Sequence, residues 1–392
     1  MVDPRTQQIG RRAVLAGALA SSSALAFTGI GASPATAAPG RRPAGLRGRG
    51  VHYDTGFFLA GVEASSHEPF DPKLVEREMR VIRQDLHCNA VRLFGSDRHR
   101  LDVAAGLAAR AGLEVWYSPF TNDLDQDEML AFLTEAAKTC ERLRRRGHRV
   151  VLTTGAEIAF TMKGFIPGDT FLERVAFLTS GDPRRGQVFA QMPGKINAFL
   201  ARAVAAVRAH FHGPVSYASL SFEGVDWTPF DYAGFDYYPN MVDGEFPANT
   251  RQQVLDLAKH GKPVVITEFG CTSYDGASAN AGKGTDAIEW DPVTNVGVRL
   301  NGDYVRDEQE QADYLLEALG IFDESGVVDS AFICTFVSRN APTRSDPRLD
   351  VDMASFGLVS PLESGRGYRN LPWQPKAAYH AVSRYYAGRG RH

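Results

Sequence analysis

Lys262-Pro263-Val264-Val265-Ile266-Thr267-Glu268-Phe269-Gly270 decides how this chain is read. A short β-branched apolar run, entered from a proline and left through a glycine, suits a strand buried on both faces. It closes on a carboxylate, Glu268. Val150-Val151-Leu152-Thr153-Thr154-Gly155-Ala156-Glu157 repeats the pattern, again ending on a glutamate. Outward from these two runs, strand-like and helix-like segments alternate. Strands are predicted at 57–64, 89–94, 113–119, 150–157, 214–221, 232–238, 263–269 and 330–337. Helices are predicted at 72–86, 98–111, 126–146, 195–210, 250–260, 308–324 and 375–386, the third stopped by Gly147 as a C-cap. Eight strands alternating with helices predict a parallel sheet, and that count favours closure into a single-domain (β/α)8 TIM barrel. A doubly wound open sheet would place a Gly-rich phosphate turn after its first strand. Gly61-Val62-Glu63-Ala64-Ser65 does not supply one.

The barrel domain is expected over 57–392, behind two other segments. Residues 1–38 have the layout of a secretory leader: Arg11-Arg12, a weakly apolar run, then Ala35-Thr36-Ala37-Ala38 as a cleavage signal. The paired arginines point to twin-arginine export and a secreted protein, with no membrane association after cleavage. Residues 39–56, rich in Pro, Gly and Arg at their start, are expected to be a flexible basic lead-in. The leader carries Arg5, Arg11 and Arg12 against Asp3, so the chain without it moves from a net −3 to −5. Mild acidity argues against nucleic acid as a partner. Cys88, Cys140, Cys271 and Cys334 lack metal-ligand spacing and are expected to be buried thiols. Oligomeric state is not legible in the sequence.

Long connections at 158–194, 271–306 and 338–373 follow the fourth, seventh and eighth strands. All three therefore fall on the carboxyl face of a barrel, where the chemistry of this fold sits. Long loops in a compact domain are usually functional. Their Trp, Tyr, Asn and Asp suit stacking on sugar faces and hydrogen bonding to hydroxyls. Two carboxylates at that face are the minimum equipment for cleaving a glycosidic bond, one as proton donor and one as nucleophile.

In these segments the chain resembles the clan A (β/α)8 retaining glycoside hydrolases. The resemblance implies Glu157 as acid/base at the end of strand four and Glu268 as nucleophile at the end of strand seven. Asn89-Ala90-Val91-Arg92-Leu93-Phe94 places Arg92 where the clan holds its nucleophile. Phe235-Asp236-Tyr237-Tyr238-Pro239 offers a tyrosine for the same carboxylate. Strand side chains alternate, so Tyr237 and Tyr238 cannot both point inward, and Tyr238 is the choice. The chain departs from the clan twice. Ala156 stands where Asn usually precedes the acid/base, and Phe336 where a Trp often ends strand eight. An unusual sugar from a plant or microbial poly- or oligosaccharide is the expected substrate, and no cofactor is implied.

Each candidate has a competing reading. Glu63 and Glu223 also end strand-like runs and stand as substrate ligands, or as proton donor in place of Glu157. Trp227 and Trp290 are candidate sugar platforms; Trp116 is as readily core. Asp97-Arg98-His99 supplies too few ligands for a metal. Asp346, Asp350 and Asp352 are expected to form a solvated loop rather than a calcium site. A catalytically silent carbohydrate-binding barrel is the alternative function. A metal-dependent barrel hydrolase would need more convergent histidines than the chain offers.

Overall fold

A strand enclosed on both faces must carry side chains that fill two interiors, and the barrel strands of this protein do so along their length. The computed structural model describes residues 45–58, 64–241 and 246–389. In chain order, β1 (Gly48–Asp54), α1 (Pro72–Gln84), β2 (Ala90–Gly95), α2 (Arg98–Arg110), β3 (Glu114–Pro119), α3 (Gln126–Arg145) and β4 (Val150–Ala156) alternate strand with helix. The helices α4 (Ile158–Thr161), α5 (Phe171–Thr179) and α6 (Arg185–Arg208) lead to β5 (Val215–Ser219), β6 (Ala233–Asp236), α7 (Phe246–Leu257) and β7 (Val264–Phe269). A hairpin of β8 (Ile288–Trp290) and β9 (Gly297–Leu300) precedes α8 (Glu308–Ser325) and β10 (Val328–Ile333). A second pair, β11 (Val359–Pro361) and β12 (Trp373–Pro375), precedes α9 (Ala377–Ala387).

The eight parallel strands close in the order β1-β10-β7-β6-β5-β4-β3-β2, the (β/α)8 barrel expected from the alternation. Ala90, Trp116, Val151, Val265 and Phe332 pack together inside it, so Trp116 is core and not a sugar platform. Several helices start on an aspartate that accepts from the first turn: Asp71, Asp97, Asp125 and Asp307. Each such cap contributes about 1 kcal/mol. Asp97 is thereby occupied as the cap of α2, accepting from the Arg100 amide at 3.0 Å.

Two expectations need correction. The segment at 39–56 is not all lead-in: it contains β1, and Arg47 just before it bonds Glu114 at 2.6 Å and Asp329 at 2.9 Å. The first strand is therefore Gly48–Asp54 and not 57–64, of which residues 59–63 lie outside the described residues, as does the leader at 1–38. Composition misled because the glycines of β1 are packing residues. Gly48 and Gly50 sit opposite Ser330 and Phe332 of β10. A Cβ on Gly48 would lie 2.2 Å from the Ser330 hydroxyl, and one on Gly50 2.3 Å from the Phe332 ring. The second correction concerns the three long connections, which are built from short helices and two-stranded pairs rather than left irregular. Among the described residues, no helix is long and apolar enough to cross a membrane.

Adding side-chain volume at Gly50 should strain the barrel closure. Gly50→Val is expected to lower unfolding free energy by about 1–3 kcal/mol. Gly320→Ala, in α8 with open space around its Cα, is expected to stabilise by roughly 0.5–1 kcal/mol. Chemical denaturation of both variants checks the contrast.

Candidate active site

Regular alternation along β7 would turn Glu268 away from the barrel mouth. Val265 belongs to the interior cluster, while Ile266 and Phe269 pack in the outer core. Two neighbours record the cause. Phe235 and Asp236 of β6 pair with Ile266 and Glu268, and Ala331 and Ile333 of β10 pair with Ile266 and Phe269. One extra residue on β7 forms a bulge, and bulges re-aim side chains beside functional sites. β4 does the same: Thr153 and Ala156 pair with Ser216 and Ala218, with Gly155 at φ +125° between them. The chain then passes through left-handed backbone at Glu157, φ 50° and ψ 42°, before α4 begins.

Both glutamates line one cavity of about 160 Å³ at the carboxyl end of the barrel. Their partners differ completely. Arg92, fully buried, donates from Nη1 to Glu268 Oε1 at 2.6 Å and to the Thr267 carbonyl at 3.2 Å, and from Nε to the Ser118 hydroxyl at 3.1 Å. Tyr238 donates its hydroxyl to Glu268 Oε2 at 2.8 Å. His52 Nε2 stands 3.6 Å from Glu268 Oε1, and Asp236 Oδ1 3.6 Å from Arg92. By contrast, neither carboxyl oxygen of Glu157 has a hydrogen-bond partner among the described residues, although the side chain is buried.

Burial holds the Glu157 carboxyl well above the usual range, reinforced by Asp236, Glu268 and Glu223 and opposed by Arg92. Burial also raises Asp236, to about 8, helped by Glu268 and opposed by Arg92. His52 is pushed well below its usual value, first by burial and then by Arg92, so its ring is neutral. Glu268 thus has two donors suited to a negative charge, while Glu157 keeps its proton. A nucleophile and a general acid require such unlike surroundings.

The turn that carries Glu157 is braced from below. The Tyr217 hydroxyl accepts from the Ile158 amide at 2.8 Å and donates to the Glu223 carboxylate. Glu223 accepts in addition from the amides of Ala159 and Leu220, each at 3.0 Å. The bonds to Ile158 and Ala159 satisfy first-turn amides of α4 that would otherwise be orphaned. Glu223 is therefore not a substrate ligand or a rival proton donor. It is fully buried, does not line the cavity, and its oxygens are occupied.

Trp290 lines the cavity as a sugar platform would. Trp227 does not: it is buried against Phe230 and Phe235, with ring centroids 5.5 and 5.2 Å away. Phe336 is also core, edge-on to Trp373 at 5.3 Å, because the chain beyond β10 turns Cys334, Thr335 and Val337 toward the cavity instead. Tyr237 points outward and donates to Gln253 at 2.6 Å. Glu63 lies outside the described residues. The four cysteines are free and buried. Asp350 and Asp352 are not in a solvated loop: they are buried, both accept from Arg306, and Asp352 also meets Lys376 at 3.1 Å.

Sequence reasoning missed His52 and Asp54, which line the cavity from β1. The His52-Tyr53-Asp54 alternation was the available signal, hidden in the segment read as lead-in. Asp54 accepts from the Gly56 amide and the Ser66 hydroxyl, and burial lifts its carboxyl to about 6. Asn122, Asn295 and Asn340 add polar groups to the lining from three loops.

No protein-family profile and no curated protein matches this chain in sequence. Solved structures do match in shape. A GH113 β-1,4-mannanase superimposes with a TM-score of 0.52 at 14% identity, over 88% of this chain and 99% of the mannanase. The GH113 β-mannanase of Alicyclobacillus acidocaldarius gives 0.51 at 14%, over 88% and 98%. A β-glucuronidase from Ruminococcus gnavus gives 0.51 at 13%, and this chain spans 50% of its length. The fold is one that glycoside hydrolases use. At such identities the likeness is one of barrel architecture.

Two measurements follow from the geometry. Tyr217→Phe leaves the Ile158 amide without its acceptor and is expected to lower any turnover about tenfold, KM moving less. The second concerns pH. Glu223, raised by burial to about 7, and Asp236, raised to about 8, are protonated in the fold at pH values where an unfolded carboxyl is charged. Their contribution to stability is complete below the unfolded value and is lost as pH rises through 7 and 8. The melting temperature should therefore fall between pH 5 and 9. Asp236→Asn should flatten the upper part of that decline, worth on the order of 1 kcal/mol per pH unit.

Proposed function

We propose that the protein is a secreted glycoside hydrolase of the retaining type, exported by the twin-arginine route and acting on a plant or microbial poly- or oligosaccharide. One observation carries the reading: two carboxyl groups line one cavity, one held by Arg92 and Tyr238 and the other left without any partner. In the proposed reaction Glu268 attacks the anomeric carbon while Glu157 gives its proton to the departing glycosidic oxygen. The Glu268 adduct is then displaced by water, from which Glu157, now a carboxylate, recovers a proton. Arg92 and Tyr238 hold the nucleophile in place, and the strained turn at Glu157, costing of order 1–3 kcal/mol, fixes the acid. The barrel shared with mannanase and glucuronidase structures is consistent with this chemistry.

Hydrolysis of aryl pyranosides and furanosides of both anomers, and of polysaccharides, tests the proposal. Wild type is expected to cleave at least one, with retained anomeric configuration by NMR. Glu268→Gln should be slower by several orders of magnitude, and a mechanism-based fluoro-sugar should label Glu268. Glu157→Gln should remove the alkaline limb of the pH profile, because the proton that limb reports would be gone. A protein that binds sugars, cleaves none and takes no label would instead be a silent carbohydrate-binding barrel.

A further inference from the structure

The cavity's charges and surfaces are unevenly arranged. Asp54, Glu157 and Glu268 line it, and no lysine or arginine does among the described residues. The nearest cations are committed elsewhere. Arg92 is bound to Glu268, Arg339 to Glu78, and Arg306 to Asp350 and Asp352. His52, held neutral, supplies no charge. A carboxylate entering this cavity would meet the Glu268 and Asp54 carboxyls and no free cation among the described residues.

The lining of the cavity is also largely apolar. Phe57, Phe94 and Phe120 form a continuous aromatic wall at the ends of β1 to β3, with rings 4.8–5.8 Å apart. Ala156 and Ala218 pack into the same cluster. The residue before Glu157 thus adds a methyl group to that wall and no hydrogen-bonding group. The loops after β7 and β10 add the polar groups of Thr285, Asn295, Ser338, Asn340 and Ser355, together with the apolar faces of Ile288, Trp290 and Phe356. A sugar hydroxyl turned to the three phenylalanine faces would lose water and find little in return, the polar groups on that side being His52, which packs on Phe94 with ring centroids 4.3 Å apart, Asp54 and Asn122. At about 160 Å³ the space is well below that of drug-sized ligand sites, and it suits one sugar ring.

Resting on the sugar-site reading above, we infer that the cavity selects one uncharged sugar residue with an apolar edge, a deoxy or O-methyl sugar, and refuses uronic acids. The aromatic wall receives the deoxygenated edge, and His52, Asp54, the asparagines and the serines receive the remaining hydroxyls. Selection is then set by the wall formed by Phe57, Phe94 and Phe120, and by the absence of a cation.

Binding of free monosaccharides, which cannot be hydrolysed, tests this apart from turnover. Wild-type protein would be titrated, by saturation-transfer NMR, with glucose, 2-deoxyglucose, 6-deoxyglucose, galactose, fucose, glucuronate and galacturonate. At least one deoxy sugar is expected to bind tenfold or more tightly than its parent, and neither uronate to bind at concentrations that saturate that deoxy sugar. Phe57→Asn, at the half-buried rim of the wall, should narrow the difference to threefold or less. A uronate binding within threefold of its neutral parent, parents binding as tightly as every deoxy partner, or no sugar binding would each overturn the inference. Deoxy preference without cleavage of any glycoside would leave it standing and sink the hydrolase. Cleavage without that preference would do the reverse.

Discussion

The mouth of this barrel is organised around one buried ion pair, Arg92 with Glu268. Removing two charges from water costs several kcal/mol for each ion, and the mutual attraction offsets that only when the remaining hydrogen-bonding capacity is used. Here much of it is. Arg92 also reaches Ser118 and the Thr267 carbonyl, and Glu268 also receives Tyr238. Four strands are thereby tied together at one point, because Arg92 stands on β2, Ser118 on β3, Glu268 on β7, and Tyr238 just beyond β6. Losing either partner would strand a buried charge, which makes the pair a condition of the fold at this end as well as a feature of the site.

Much of this was legible in the chain and some was not, for identifiable reasons. Hydrophobic runs and helix caps report burial and local geometry, so seven of the barrel strands were found close to their observed places. Arg92, Glu268 and Tyr238 could be named because each ends or closes such a run. β1 was lost because its glycines answer to Ser330 and Phe332, residues distant in sequence. Trp227 and Phe336 were misplaced for a related reason. An aromatic at a strand end looks the same whether it turns to the mouth or to the core, and only the path of the backbone decides. The bulges on β4 and β7 are equally invisible to a period-two pattern, yet they turn Ala156 and Glu268 toward the mouth.

Glu223 shows how a chemically suggestive residue can serve the site without entering it. Its type, its place after β5 and its raised carboxyl all fit a proton donor. Its bonds to Tyr217, Ala159 and Leu220 assign it to the backbone around Glu157 instead. Glu157 needs that support, since a non-glycine residue in left-handed backbone persists only where neighbours over-determine it. The Glu157 turn is thus held by a second carboxyl that does not line the cavity.

The charge count explains why the two glutamates behave differently. Grouped around Arg92 stand three carboxyl groups, Glu157, Asp236 and Glu268, with Glu223 behind Glu157 and Asp54 farther along the cavity wall. Were all three ionised, a net −2 would be buried in a region of low dielectric. Protons are the cheapest remedy, and they settle where the cation helps least. Glu268 has the 2.6 Å contact with Arg92; Asp236 is left at 3.6 Å and Glu157 has no bond to it. The shortage of positive charge thereby keeps Glu157 protonated with no special partner of its own. An added lysine near Glu157 would stabilise its charged form and so remove the property on which its proposed role as an acid depends.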